Sequence, residues 1–98
     1  VFVSCGATIG NHCLVLPNTV ISHDSVIGDH CCVGSNVSVS GGVVIGPLCY
    51  IGSGARIKER ITVKEGALIG LGAVVVSDIE KGVVAVGNPA RVLRKVGR

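Results

Sequence analysis

Aromatic side chains are nearly missing from this sequence. Its 98 residues hold one Tyr, one Phe and no Trp, and Met is absent as well. A globular core of this size normally fills space with rings. Yet 48% of the chain is hydrophobic, so the apolar content is mostly Val, Ile, Ala and Leu. Small and β-branched side chains favour strands, and 15 glycines supply turns. A run of 18 apolar residues is also absent, because polar residues or Gly interrupt every stretch. No membrane partner is expected. The N-terminus lacks a basic start and a clean apolar run, so no secretory signal is expected. There is no initiator Met, and we expect a fragment or processed product with a preceding domain missing.

The five cysteines form no CxxC pair. Their odd number speaks against a secreted disulfide framework, so a reducing, cytoplasmic location is expected. GxSxG, P-loop and GxGxxG patterns are all missing. The net charge of +3 is modest. Its basic residues fall into two clusters, Arg56, Lys58, Arg60 and Lys64, then Arg91, Arg94, Lys95 and Arg98. Without interleaved aromatics they argue against binding single-stranded nucleic acid. Beyond a solvated face, they suit an acidic small ligand.

What is present is a repeat. Stepping by six from Val3 gives Ile9, Val15, Ile21, Ile27, Val33, Val39, Ile45, Ile51, Ile57, Val63, Ile69 and Val75, all Val or Ile without a slip. Two residues earlier the side chain is usually small, as at Ala7, Cys13, Thr19, Ser25, Cys31, Ala55, Ala67 and Ala73. Each hexad therefore reads as a short strand with two inward side chains flanking one outward residue. Three residues after the Val or Ile stands a corner residue: Gly6, Asn18, Asp24, Asn36, Gly42, Gly54, Gly66, Gly72 or Asp78. Those types tolerate positive φ. Three hexads close an 18-residue triangular coil, and coils stack at about 4.8 Å. The fold expected is an all-β hexapeptide-repeat solenoid over residues 1–78. Cys13, Cys31 and Cys49 then fill one inward column, with a disulfide between coils as the alternative, and His12 stacks on His30 at a solvent-facing turn. Residues 79–98 are expected to form a cap: a turn over Ile79 to Gly82, a strand over Val83 to Val86, a break at Gly87-Asn88-Pro89-Ala90 and a short basic helix over Arg91 to Val96.

Only His23 stands beside features that suit catalysis. It lies in Ser22-His23-Asp24 at a corner, and one coil later the matching residues are Gly41 and Gly42. Imidazole next to exposed glycine N–H groups could act as base and oxyanion donor. Asp24 could raise the basicity of His23 by stabilising the imidazolium. An ordinary exposed corner histidine is the other reading, and the spacing leaves both open. A covalent cysteine mechanism would need an accessible thiol near His23, for which outward-pointing Cys32 is the best candidate.

The hexads, the segment Val20-Ile21-Ser22-His23-Asp24-Ser25-Val26-Ile27-Gly28-Asp29-His30, the step Ser40-Gly41-Gly42 and the ending Gly87-Asn88-Pro89-Ala90-Arg91 resemble one family. It comprises the nucleotide-sugar N-acetyltransferases of the bacillosamine and perosamine type, with the related sialic acid O-acetyltransferases. The likeness runs through nearly the whole chain; its hexads and ending are common to many hexapeptide acyltransferases, while the His-acid pair and Gly-Gly step are narrower. The resemblance implies a left-handed β-helix, a homotrimer with sites between subunits, acetyl-CoA as donor and no metal. It implies direct attack by an amine or hydroxyl of a sugar acceptor. His23 matches the family's general base, Asp24 its acidic helper and Gly41 the glycine whose N–H meets the thioester carbonyl. Cys32, Ser53, Leu71 and Arg91 match positions that contact coenzyme A, although the bacillosamine enzymes carry histidine at the first. The family's Rossmann-like acceptor domain is not within these residues, so the expectation is either a truncated chain, with that domain missing or supplied by a partner, or a short form with a different acceptor. Two alternatives remain. A non-catalytic trimeric scaffold would keep the hexads without needing the His-Asp and Gly-Gly constellation. A metal hydratase on the same solenoid would need three converging histidines, and His12, His23 and His30 lack the H-x4-H spacing of that class.

Overall fold

The computed structural model describes residues 1–97. Arg98, counted above in the basic tail, lies outside the described residues. Two-residue strands line up on three faces of a triangular coil. The first face stacks Phe2–Val3, Val20–Ile21, Ser38–Val39, Arg56–Ile57 and Val74–Val75. The second stacks Thr8–Ile9, Val26–Ile27, Val44–Ile45 and Thr62–Val63. The third stacks Leu14–Val15, Cys32–Val33, Tyr50–Ile51 and Leu68–Ile69, then continues into Val83–Val86 and Arg91–Lys95. All coil-to-coil ladders are parallel, and partners lie one coil apart, as in Val3 with Ile21 and Ile27 with Ile45.

The repeat dictates this packing. The Val or Ile of each hexad points inward, and Ile21, Val33, Val39, Ile51, Val63, Ile69 and Val75 are fully buried. The small residue two before it is inward too, and the narrow prism leaves room for nothing larger at most levels. Some of these small residues are polar, and each finds the same partner. The hydroxyls of Thr19 and Ser25 donate to the carbonyls of Gly34 at 2.6 Å and Ser40 at 2.7 Å. The thiols of Cys13, Cys31 and Cys49 donate in the same geometry to Gly28, Gly46 and Lys64, each at 3.1 Å. A buried polar group so paired avoids the desolvation penalty of an orphaned one. All five cysteines are free thiols. The Cys31 neighbour and burial together push the Cys49 thiol well up.

Every corner position from Gly6 to Gly72 has positive φ. Asn18, Asp24, Asn36 and the glycines meet that need as expected. His12 and His30, of a type that tolerates it, take the same geometry at φ 57° and 59°, and Leu48 and Arg60 adopt it at 62° and 61° without a side chain that favours it. His12 and His30 stack with ring centroids 5.2 Å apart and planes 3° from parallel.

The C-terminal end differs from the sequence reading in two ways. First, the repeat shortens. Ile79 is 5% exposed and bridges Val63, a step of 79 − 63 = 16 residues instead of 18. It is therefore a core residue of the coil, and the turn falls on Lys81 and Gly82. Asp78 does not take positive φ; its Oδ1 accepts the Thr62 N–H at 2.9 Å instead. Second, Arg91–Lys95 is a strand, not a helix. It pairs antiparallel with Val83–Val86, Val86 facing Arg91 and Val83 facing Lys95. The reason is the open edge of Val83–Val86, whose backbone groups need partners. A segment this short gains too few helical bonds to offset nucleation. Gly87 and Ala90 close over the first face: the Val74 N–H donates to Gly87 O at 2.9 Å and the Ala90 N–H to Val74 O at 2.8 Å.

Candidate active site

The corner between the first and second faces carries His23. Stepping one coil at a time, the corner reads Cys5-Gly6, His23-Asp24, Gly41-Gly42 and Glu59-Arg60. Main-chain bonds lock these levels together. The Asp24 N–H donates to Cys5 O at 3.1 Å, the Gly42 N–H to His23 O at 2.9 Å and the Arg60 N–H to Gly41 O at 3.0 Å. Two levels bear long side chains and the one between them bears none. The result is a notch, an open cavity of about 330 Å³ lined by His23, Asp24, Ser40, Gly41, Gly42, Glu59 and Arg60.

Within the notch His23 has a defined pose. Its Nδ1 lies 3.4 Å from Asp24 Oδ2. A Cβ built on Gly41 would fall on the imidazole, against Nε2 and Cε1. Nε2 is therefore the nitrogen resting on the bare Gly41 backbone. A carboxylate beside Nδ1 favours the tautomer with its proton there, which leaves the Nε2 lone pair free as a base. Gly42 spends its N–H on His23 O, so it is not the free donor that the pair of glycines suggested. The Gly41 N–H has no acceptor among the described residues and is the one that remains. The site is wet: the His23 and Asp24 side chains are 68% and 75% exposed.

The other residues singled out from sequence lie elsewhere. Cys32 points outward on the third face, in register between Leu14 and Tyr50. Ser53 and Leu71 sit on the corner between the third and first faces. Ser53 Oγ accepts the Ser35 N–H at 3.1 Å, and Leu71 is 83% exposed. Arg91 opens the last strand. In a triangular prism the His23 corner stands opposite the third face, so Cys32 is not the thiol nearest His23. That thiol is the exposed Cys5, one coil below it. Cys5 and Glu59 were overlooked, and Arg60 was read only as one of a basic cluster, although steps of 18 residues from His23 and Asp24 reach all three. No group of three or more His, Cys, Asp or Glu side chains among the described residues could hold a metal ion. His12 and His30 are on a different corner from His23. No helix among the described residues is long and apolar enough to cross a membrane.

The class follows from this geometry: a solenoid of six-residue repeats with a single-histidine notch on one corner. Residues 6–41 match the family described as bacterial transferase hexapeptide (six repeats). The chain folds as a hexapeptide-repeat, left-handed β-helix, and one of the solved structures it resembles is named for the same repeat. It superposes on a hexapeptide-repeat acetyltransferase of Vibrio cholerae O1 biovar eltor in complex with acetyl coenzyme A. The TM-score is 0.89 at 21% identity, over 98% of this chain and 66% of the other. A galactoside acetyltransferase in complex with coenzyme A gives a TM-score of 0.90 at 27% identity, over 97% and 60%. A mutant perosamine N-acetyltransferase of Caulobacter crescentus, in complex with CoA and GDP-perosamine, gives 0.77 at 28% identity, over 93% and 52%. This chain thus spans between about half and two thirds of the length of these structures. No curated protein sequence matches it.

Proposed function

We propose that the chain is the donor-binding part of an acetyl-CoA-dependent acetyltransferase acting on an amine, or a hydroxyl, of a nucleotide-linked sugar. One observation carries this reading: His23 Nε2 rests on bare Gly41 backbone beside a free N–H, inside a cavity. In the mechanism, the neutral acceptor attacks the acetyl carbonyl while Nε2 takes its proton. The Gly41 N–H donates to the oxygen as it becomes an oxyanion. Collapse breaks the carbon–sulfur bond, and the imidazolium returns the proton to the leaving thiolate of coenzyme A. Asp24 holds the ring and stabilises the imidazolium between those two transfers. The similar structures that carry CoA or acetyl-CoA support the donor, and GDP-perosamine in one of them supports the acceptor class.

Opposite placement of the two residue sets supports a homotrimer. A ligand at the His23 corner of one subunit reaches Cys32 and Arg91, on the opposite face, only through a neighbouring copy, and Ser53 and Leu71 stand on the corner that borders that face. The family resemblance assigns those four to coenzyme A, with the solenoid running through Ile79 and the paired strands Val83–Val86 and Arg91–Lys95 as its cap. Free thiols suit a cytoplasmic setting. The test is acetyl-CoA calorimetry on wild type and Gly41→Val, with sedimentation of both. The expected result is one site per chain in a trimer, weakened by Gly41→Val. A trimer that ignores millimolar acetyl-CoA would leave a scaffold as the function.

A further inference from the structure

We infer that Arg60 reads the acceptor, binding a phosphate group on the sugar while His23 Nε2 faces its amine. This rests on the acetyltransferase reading above and adds to it a residue and a substrate requirement. The first observation is charge. Four ionisable side chains line the notch: His23 and Asp24 below the glycines, Glu59 and Arg60 above. Three of them are engaged. His23 pairs with Asp24, and the Glu59 carboxylate lies 3.3 Å from Lys58 Nζ on the outside of the coil. Arg60 makes no ion pair or side-chain hydrogen bond among the described residues, so its guanidinium is the one uncommitted charge in the cavity.

The second observation is conformational. Arg60 occupies a left-handed corner at φ 61°. Gly serves at that position on neighbouring coils without strain, as at Gly6 and Gly42 in the same column. A long side chain held in a costly backbone region and aimed at a cavity points to a role other than stability. The third is reach. Gly42 lies directly beneath, and a Cβ there would stand 3.5 Å from Arg60 Cγ. The arginine stem therefore lies over the bare Gly42, and the residue lines the same cavity as Asp24 and His23. The two charged levels are about 9.6 Å apart, two strand spacings. A hexosamine carrying a phosphate spans that gap, with its amine at His23 and its phosphate at the planar fork of donors that suits such a group.

The test uses glucosamine, glucosamine 1-phosphate and glucosamine 6-phosphate as probes. Each is titrated into the intact protein while the His23 ring resonances are followed by NMR, assigned by their loss in His23→Asn. At least one phosphate is expected to bind about tenfold or more tightly than glucosamine. Arg60→Gly should erase that preference, Arg60→Lys should keep part of it, and neither should change acetyl-CoA affinity. Arg60→Gly should also melt no lower than wild type, because glycine relieves the corner; this separates lost recognition from lost fold. Equal binding of the three probes, no binding of any, or a preference that survives Arg60→Gly would overturn the inference. Weakened acetyl-CoA binding in Arg60→Gly would place the residue on the donor instead. Wild type that binds no acetyl-CoA would overturn the acetyltransferase reading and not the anion site, so the two failures are told apart.

Discussion

Alanine should act in opposite ways at two corner glycines, and the difference isolates the notch. At Gly41 the backbone lies outside the left-handed region, so alanine adds no strain. By restricting the unfolded chain it stabilises by about 0.4–1 kcal/mol. Its Cβ, however, falls on the His23 imidazole. The ring is the end of an exposed side chain and swings aside, away from the Gly41 amide. A positioned general base contributes about 10²–10⁴-fold, so kcat should drop by that factor, roughly 3–5 kcal/mol of barrier at 1.36 kcal/mol per tenfold. At Gly66, φ is +72° and a Cβ meets nothing within 4 Å. Alanine there costs about 1–2 kcal/mol of backbone strain, which lowers the melting midpoint by at least roughly 4–8 °C and leaves turnover alone. The assay is thiol release from acetyl-CoA in the presence of acceptor, alongside thermal unfolding of each variant. Full turnover in Gly41→Ala would refute the argument. So would a fall in its melting temperature matching that of Gly66→Ala, because the loss would then be one of fold.

Replacing His23 by Ala should abolish turnover while sedimentation and circular dichroism stay those of wild type; an active variant would mean another group takes the proton. Val39→Asp or Ile45→Asp buries an unpaired carboxylate where wild type is 0% or 1% exposed and should unfold the coil, read as lost β-sheet circular dichroism. Thiol labelling followed by mass spectrometry should modify Cys5 within minutes. Cys31 and Cys49, each 2% exposed, should react only after denaturant is added, and early labelling of either would mean that the coil opens locally.

The solenoid was legible because its core obeys a strict period. A side chain that recurs every six residues with no slip can only be inward-facing, and all three faces followed from that. The corner rule was legible in part. Asn18, Asp24 and Asn36 announce positive φ by type, whereas Leu48 and Arg60 are forced into it by the ladders above and below. Tertiary geometry overrides local preference there, and no local signal marks those residues. The C-terminal end was misread for a related reason. Arg91–Lys95 has no strand alternation to announce it; its conformation is set by the unpaired edge of Val83–Val86, and such an edge exists only once the coil has formed. Shortening of the last coil to 16 residues was hidden as well, since Ile79 falls off the six-residue register that located every other core position.

At the His23 corner the informative features are departures from the repeat. A solenoid whose coils were all alike would present an even ridge there, with no concavity to hold a ligand. Concavity arises where one level, Gly41-Gly42, lacks side chains that the levels on either side possess. The same gap that makes the cavity puts a backbone N–H beside Nε2, so the cavity and the proposed oxyanion donor have one cause. That explains why His23 and Asp24 could be picked from sequence as a site while Glu59 was missed and Arg60 was read only as part of a basic cluster: the first pair is recognised by chemistry, the second only by its height above the gap. It also explains why the donor residues appear scattered. In the proposed site one corner supplies the base and an acceptor-side cation, while Cys32 lies on the opposite face and Ser53 and Leu71 on the corner that borders it, a surface that would meet the His23 corner in another copy. Mixing inactive His23→Ala chains with inactive Gly41→Val chains tests this directly. A corner carries both residues, so in the proposed trimer such mixtures should regain no turnover, whereas His23→Ala mixed with a chain altered at Leu71 should regain part of it. Recovery in the first mixture would separate His23 from Gly41 and break the site apart.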